Sequence, residues 1–143
     1  MKISIINGPN LNLLGKREPS IYGDQSFMTY FDSLKVQFPE IIFDYFQSNI
    51  EGELINKLHE IGFSADVILL NAGAYTHTSV AILDALRSIN IPKIEIHLSN
   101  IYKREDYRQK SITAEGVDGL ICGFGSISYI LAIEAINRLI NKK

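Results

Sequence analysis

Short apolar runs alternate with amphipathic stretches along the whole of this 143-residue chain, and no other feature restricts its fold as strongly. The runs are bounded by turn residues and are apolar enough to be strands in a sheet that is covered on both faces. They cover residues 3–6, 41–46, 67–70, 94–98 and 119–122. Between and after them, apolar residues at helical spacing predict helices over 25–38, 50–61 (with Asn49 as its cap), 80–86 and 126–140.

Repeated strand–helix units without a break in composition predict a single domain over residues 1–143. The predicted fold class is α/β, a doubly wound five-stranded parallel sheet with helices on both faces. The number of strands and the chain length favour the flavodoxin-like strand order over a full dinucleotide-binding fold. Ligands of such sheets bind beyond the carboxyl ends of the strands, so we expect the site residues in the loops that follow them.

Composition and charge limit the partners and cofactors that we expect. A net charge of −2 offers no electrostatic reason for binding nucleic acid or a membrane surface. The apolar run at the N-terminus is too short for a signal peptide or a membrane span, which predicts a cytoplasmic protein. Three histidines and one cysteine show no metal-ligand spacing, and no glycine-rich dinucleotide loop or phosphate-binding lysine loop is present. We therefore expect no metal and no cofactor.

The connection after the first strand is unusually long, from residue 7 to residue 24. Long loops in compact domains tend to be lids or binding loops, and this one contains Asn10, Arg17 and Tyr22. We predict a lid over about residues 16–24. The alternative is a mobile surface loop whose Arg17 and Tyr22 face only water.

Polar residues also follow the third strand, where Asn71 opens a segment of small residues that ends near His77. Small residues allow a ligand to approach the backbone closely. His77 is either a binding residue at the end of a strand or an inert polar residue near the start of a helix. Its place at the carboxyl end of a strand favours the first interpretation.

The fourth strand is the most informative segment for chemistry. From residue 93 to residue 98 apolar and polar residues alternate, so Glu95 and His97 point to the same face of the strand. A covered sheet does not normally bury a carboxylate beside an imidazole without a function. Glu95 can orient or charge His97 and leave its other ring nitrogen free for proton transfer. The alternative is an edge strand with one polar face.

Two other classes of protein with this fold fit the chain less well. A flavodoxin-like cofactor carrier would have a short, hydroxyl-rich phosphate loop after the first strand, where this chain has a long Arg- and Tyr-containing loop. A phospho-acceptor signalling domain would need acidic residues at the ends of strands one and three, where Asn7 and Asn71 stand.

Six groups of residues, in order along nearly the whole chain, make the sequence similar to the type II 3-dehydroquinate dehydratases. They are GPNLN at 8–12, GKREP at 15–19 with YG at 22–23, QSN at 47–49 with EG at 51–52, NAG at 71–73 with THTS at 76–79, EIHLSN at 95–100, and RE at 104–105 with Arg108. The resemblance implies a hydro-lyase that reversibly dehydrates 3-dehydroquinate to 3-dehydroshikimate in the shikimate pathway of aromatic amino acid biosynthesis. Use of the same reaction in quinate breakdown remains open.

The resemblance also implies a role for each matching catalytic residue. Tyr22 looks like the base, a tyrosinate that removes the proton beside the ketone, and Arg17 and Arg108 look like the groups that favour this anion. Asn10 would stabilise the enolate. His97 would protonate the departing hydroxyl, with Glu95 behind it.

Further positions resemble the family's substrate-binding residues and its assembly. Asn71, His77, Leu98, Ser99 and Arg108 would hold the substrate. The resemblance also implies a dodecamer built as a tetramer of trimers, in which an aspartate at the position of Asp84 reaches a neighbour's site.

Overall fold

The structure is a computed structural model that describes residues 1–16, 20 and 24–140. Five strands form one sheet in the order β2-β1-β3-β4-β5, and every neighbouring pair is parallel. The strands are β1 (Lys2–Asn7), β2 (Ile42–Gln47), β3 (Val67–Asn71), β4 (Lys93–His97) and β5 (Gly119–Cys122). The predicted fold class, a flavodoxin-like doubly wound sheet, is confirmed.

Among the residues that the structure describes, four α-helices cover the two faces of this sheet. They are α1 (Phe27–Gln37), α2 (Glu51–Ile61), α3 (Val80–Arg87) and α4 (Ile127–Ile140). Helices α1 and α4 pack on one face through an aromatic-rich core that includes Phe27, Phe31 and Tyr129. Helices α2 and α3 pack on the other face through aliphatic residues such as Leu58 and Leu86. Within the described ranges, no helix is both long and apolar enough to span a bilayer.

Two helices differ in how their first turns are capped. At α1 the hydroxyl of Ser26 accepts a hydrogen bond from the backbone N–H of Thr29. The prediction that Asn49 caps α2 is wrong, because Ile50 occupies the cap position and makes no side-chain cap bond. The side-chain Oδ1 of Asn49 instead accepts a hydrogen bond from the backbone N–H of Asn10, at 3.0 Å. Asn49 therefore supports the loop after β1 rather than its own helix.

The loop after β1 is held tightly against the loop after β3. The backbone N–H of Gly8 donates to the carbonyl of Asn71 at 2.7 Å. A Cβ on Gly8 would lie 2.3 Å from the carbonyl oxygen of Ala72, so only glycine fits this approach. Further along, Gly15 has a φ of 87°, and a Cβ there would lie 2.8 Å from the carbonyl oxygen of Asp24. Gly15 therefore lies against the backbone of residues 24–26.

Candidate active site

A pocket of about 110 Å³ lies beyond the carboxyl ends of β1, β3 and β4. Ligands of doubly wound sheets bind at this edge, as expected from the sequence. Three amides stand side by side at this edge of the sheet, because Asn7 lies in register with Gln47 on β2 and with Asn71 on β3. The pocket is lined by Pro9, Asn10, Leu11, Leu13, Leu14, Asn71, Gly73, Ala74, His77, His97, Leu98, Ser99, Ile101, Arg104 and Arg108.

A buried carboxylate–imidazole pair lies beneath one wall of the pocket. Nε2 of His97 is 2.6 Å from Oε1 of Glu95, whose side chain is fully buried. Strand β4 lies between β3 and β5, so the edge-strand alternative does not apply. An ionised carboxylate can only accept, so Nε2 carries the proton in this bond and Nδ1 is the other ring nitrogen. The predicted pairing of Glu95 with His97 is therefore present in the structure.

Two hydroxyls complete the surroundings of Glu95. Ser111 donates to Oε1 at 2.5 Å and Thr113 donates to Oε2 at 2.6 Å. Burial raises the pKa of the Glu95 carboxyl, but the hydrogen bond and charge of His97, together with the two hydroxyls, hold this pKa below its ordinary value. Glu95 is thus a buried anion whose two oxygens are both engaged.

His77 lines the pocket beside His97 and has a defined tautomer. Its Nδ1 lies 2.8 Å from the backbone carbonyl oxygen of Lys110, which can only accept, so Nδ1 carries the proton. The His77 and His97 rings are nearly parallel, with centroids 6.4 Å apart. The two imidazoles can therefore contact the same small molecule from neighbouring positions.

Two arginines give the pocket its positive charge. Arg104 donates to the Ser99 hydroxyl at 3.2 Å, and Nε of Arg108 lies 3.2 Å from Oε2 of Glu105. A backbone hydrogen bond and both guanidinium groups hold the pKa of Glu105 below its ordinary value. Among the described residues that line the pocket there is no carboxylate. This balance favours an anionic ligand.

Asn10 reaches the pocket from the loop after β1 in a left-handed conformation, with a φ of 67°. Asparagine tolerates this conformation better than most residues. On β3, the side-chain oxygen of Asn71 accepts a hydrogen bond from the backbone N–H of Gly73 at 3.2 Å. Asn71 therefore shapes its own loop and also lines the pocket.

Most of the predicted site residues come together here. Those that line the pocket are Asn10, Asn71, His77, His97, Leu98, Ser99 and Arg108, with Glu95 directly behind His97. Asp84 does not join them within one chain, because it lies on the exposed face of α3. Arg17 and Tyr22 lie outside the described residues.

Ser111 and Thr113 are functional candidates that the sequence did not reveal. They follow Glu95 by 16 and 18 residues. Thr113 is the first residue of a short 3₁₀ helix, Thr113–Gly116, and Ser111 lies just before it. No periodic pattern connects such a segment to a distant strand. Within the described ranges, no cluster of three or more histidine, cysteine or acidic residues could hold a metal ion.

The family and structural comparisons agree with one another. The model of the family "Dehydroquinase class II" matches residues 1–137. A 3-dehydroquinate dehydratase of Clostridium botulinum is 54% identical over 144 residues, which cover 99% of this chain and 98% of the relative.

Two solved structures share the fold of this chain. The type II dehydroquinase of Butyrivibrio crossotus has a TM-score of 0.92 and 45% identity, and the match covers 96% of this chain and 97% of that one. That of Propionibacterium acnes has a TM-score of 0.90 and 34% identity, covering 94% of each chain.

Proposed function

This chain belongs to the class II dehydroquinase family and is a hydro-lyase, and we propose that it dehydrates 3-dehydroquinate to 3-dehydroshikimate in the shikimate pathway. The observation that carries the proposal is the buried Glu95–His97 pair, joined at 2.6 Å, at the wall of a pocket that also contains two arginines. An imidazole held by a carboxylate suits proton transfer to a leaving hydroxyl. Arginines suit a substrate that carries a carboxylate.

The proposed reaction removes one proton and one hydroxyl from adjacent carbons. Tyr22, as a tyrosinate, takes the proton beside the ketone and leaves an enolate, whose oxygen Asn10 stabilises through a hydrogen bond. As the enolate collapses, the carbon–oxygen bond to the neighbouring hydroxyl breaks. His97, as an imidazolium with Nε2–H on Glu95, supplies the Nδ1 proton that makes the leaving group water. Tyr22 ends protonated and His97 deprotonated, so one proton returns from the first to the second between turnovers.

A tyrosinate base needs strong electrostatic support. An unperturbed tyrosine has a pKa near ~10, and bringing it to 7 requires a preference of ~4 kcal/mol for the anion. One exposed ion pair contributes at most ~1 kcal/mol. We therefore assign Arg17 and Arg108 together to this task, in a closed site from which water is largely excluded.

The other tyrosines support the choice of Tyr22. No described residue that lines the pocket is a tyrosine. Burial raises the pKa of Tyr30 to about 12, and it raises the pKa of Tyr129 still further. Burial also raises the pKa of Tyr45, against a hydrogen bond to Asn7. These three phenols are weakly acidic members of the core rather than bases.

The remaining roles concern binding and assembly. We assign the substrate's hydroxyl and carboxylate groups to Asn71, His77, the backbone of Leu98 and Ser99, and the guanidinium group of Arg108. Asp84, exposed on α3, would reach the site of a neighbouring subunit in a dodecamer of four trimers. We place the enzyme in the cytoplasm.

The direct test is the absorbance of the conjugated enone that forms when the purified protein meets 3-dehydroquinate. The assay is repeated with a metal chelator and after borohydride treatment in the presence of substrate, which would trap an imine between a lysine and the substrate ketone. We expect turnover to survive both. A folded protein that forms no enone would refute the proposed function.

Substitution of Tyr22 and His97 tests the two proton-transfer roles. Tyr22→Phe and His97→Ala should each lower kcat by about 10²–10⁴-fold. Tyr102→Phe is the matched control, because Tyr102 is 65% exposed and does not line the pocket. Near-normal kcat for folded Tyr22→Phe would contradict the base assignment, and the same result for His97→Ala would contradict the acid assignment.

A further inference from the structure

One short segment, residues 110–114, makes hydrogen bonds to His77 and to Glu95, the carboxylate that holds His97. The carbonyl of Lys110 accepts from Nδ1 of His77 at 2.8 Å, and the hydroxyls of Ser111 and Thr113 donate to Glu95. The backbone N–H of Ile112 also donates to the carbonyl of Thr76 at 2.8 Å. This segment therefore joins the loop after β3 to the strand that carries Glu95.

The hydroxyl hydrogens of this segment have defined directions. The Ser111 oxygen accepts from the backbone N–H of Ala114 at 3.0 Å, so its own hydrogen is available for Oε1 of Glu95. Thr113 is fully buried and donates to Oε2. Oε1 thus accepts from His97 and Ser111, while Oε2 accepts from Thr113. With a donor on each oxygen, rotation of the carboxylate would break at least one hydrogen bond.

We propose that Ser111 and Thr113 are positioning residues for the dehydration: their hydroxyls fix the Glu95 carboxylate in the orientation that holds His97 with its proton-bearing Nε2 inward and its Nδ1 available to the pocket. This inference rests on the proposed function. Neither Ser111 nor Thr113 is among the residues that line the pocket, and both hydroxyls bond to Glu95, so both act through that carboxylate.

The physical basis is the cost of a buried charge. A carboxylate away from water needs a donor for each oxygen, and a hydrogen bond to a charged group is among the stronger kinds. Without Thr113, Oε2 of Glu95 would lose the donor that the structure shows, and the neutral acid would become more favourable. A neutral, freely rotating Glu95 would no longer orient the His97 ring.

Other charged or titratable groups surround this pair and remain unchanged in the variants below. Within the described ranges they include His77, Arg104 and Arg108 in the pocket, Lys93 on the same strand, Cys122, which lies in register with His97 on β5, and Glu115 beyond Thr113, which pairs with Arg87 of α3. The Lys93 ammonium donates to the carbonyls of Ile89 and Ile91.

The principal variant is Thr113→Val, which keeps the shape of the side chain and removes its hydroxyl. We expect kcat to fall about tenfold with KM within about twofold, and the acid limb of the kcat–pH profile to move up by about one pH unit. Ser111→Ala should act in the same direction, and the double variant more strongly. Thr113→Ser restores the hydroxyl and should restore both values.

Ser88→Ala is the matched control, because its hydroxyl donates to the carbonyl of Ala85 at the end of α3, away from Glu95. It should leave kcat and the pH profile unchanged. Circular dichroism establishes that each variant is folded. If the double variant does not fold, the single variants provide the test.

A second readout needs no turnover. The ¹³C resonance of the Glu95 carboxyl, assigned by its loss in Glu95→Gln, should titrate at higher pH in Thr113→Val than in the wild type. Suppose that the wild type is active and that folded Thr113→Val has the same kcat, the same pH profile and the same Glu95 titration. That result would overturn this inference and leave the proposed function intact. A wild type that forms no enone would instead refute the proposed function.

Discussion

On the aromatic face of the sheet, the phenol of Tyr129 donates to the buried side-chain oxygen of Asn7 at 2.6 Å. On the aliphatic face, the Glu95 carboxylate accepts from His97, Ser111 and Thr113 at 2.5–2.6 Å. Both networks are buried near the carboxyl ends of the strands. The first is made of neutral groups, and the second is built around an anion.

The two networks shift acidity in opposite directions. Burial raises the pKa of Tyr129 well above its ordinary value and that of Tyr30 to about 12, so the aromatic face keeps its phenols protonated. Three donors lower the pKa of Glu95 in spite of its burial. Burial alone therefore does not determine the direction of a pKa shift, because hydrogen bonds and the charge of a neighbouring group can outweigh it.

The largest expected difference between the networks is in catalysis. Glu95→Gln should lower kcat by about 10²–10⁴-fold, because the amide carries no charge and one of its ends cannot accept from a hydroxyl. Tyr129→Phe should leave kcat within a fewfold of the wild type. Steady-state rates of enone formation measure both, and equal losses would mean that the two networks share one function.

Alkaline conditions should act on the aromatic face first. Burial raises the pKa of Tyr30 to about 12 in the folded protein, against 10 in the unfolded chain, so keeping the phenol neutral stabilises the fold. This stabilisation is present in full at any pH below 10. This contribution, on the order of 2–3 kcal/mol, is lost as the pH rises through 12. Urea unfolding between pH 9 and 12 measures the slope, which should be smaller in Tyr30→Phe. An unchanged slope would contradict the shift.

At neutral pH, the neutral network contributes through its hydrogen bond. Tyr129→Phe leaves the buried side-chain oxygen of Asn7 without its phenol donor, which should lower the free energy of unfolding by about 1–3 kcal/mol. Thermal unfolding at pH 7 tests this, with Tyr102→Phe as the exposed control. Equal melting temperatures for the two variants would show that the bond to Asn7 adds nothing.

The smallest expected effect is the acid dependence of stability. The lowered pKa of Glu95 stabilises the fold above about pH 4.5, and this contribution is lost as the pH falls through the folded-state value. Unfolding free energies measured from pH 6 to pH 3 should therefore fall less steeply in Glu95→Gln than in the wild type. A steeper fall in the variant would reverse the sign of the argument.

The strands, their parallel arrangement and the site's location could be predicted because each depends on a local pattern. Buried parallel strands have continuous apolar runs, and the alternation around Glu95 and His97 places both on one face whatever the rest of the chain does. The Asn49 cap failed because a short polar side chain bonds whichever donor the fold brings near. Here that donor is the backbone of Asn10, 39 residues away.

Local patterning was thus sufficient for the order of elements, the two-sided core and the Glu95–His97 pair. The three-dimensional fold was needed for the contacts between loops: Gly8 against Ala72, Lys110 on His77, and Ser111 and Thr113 on Glu95. Periodicity records which face of an element is buried, since burial recurs with every turn or every second residue. A hydrogen bond between two irregular segments leaves no repeating pattern in the sequence. It is therefore known only once the tertiary structure shows which segments lie together.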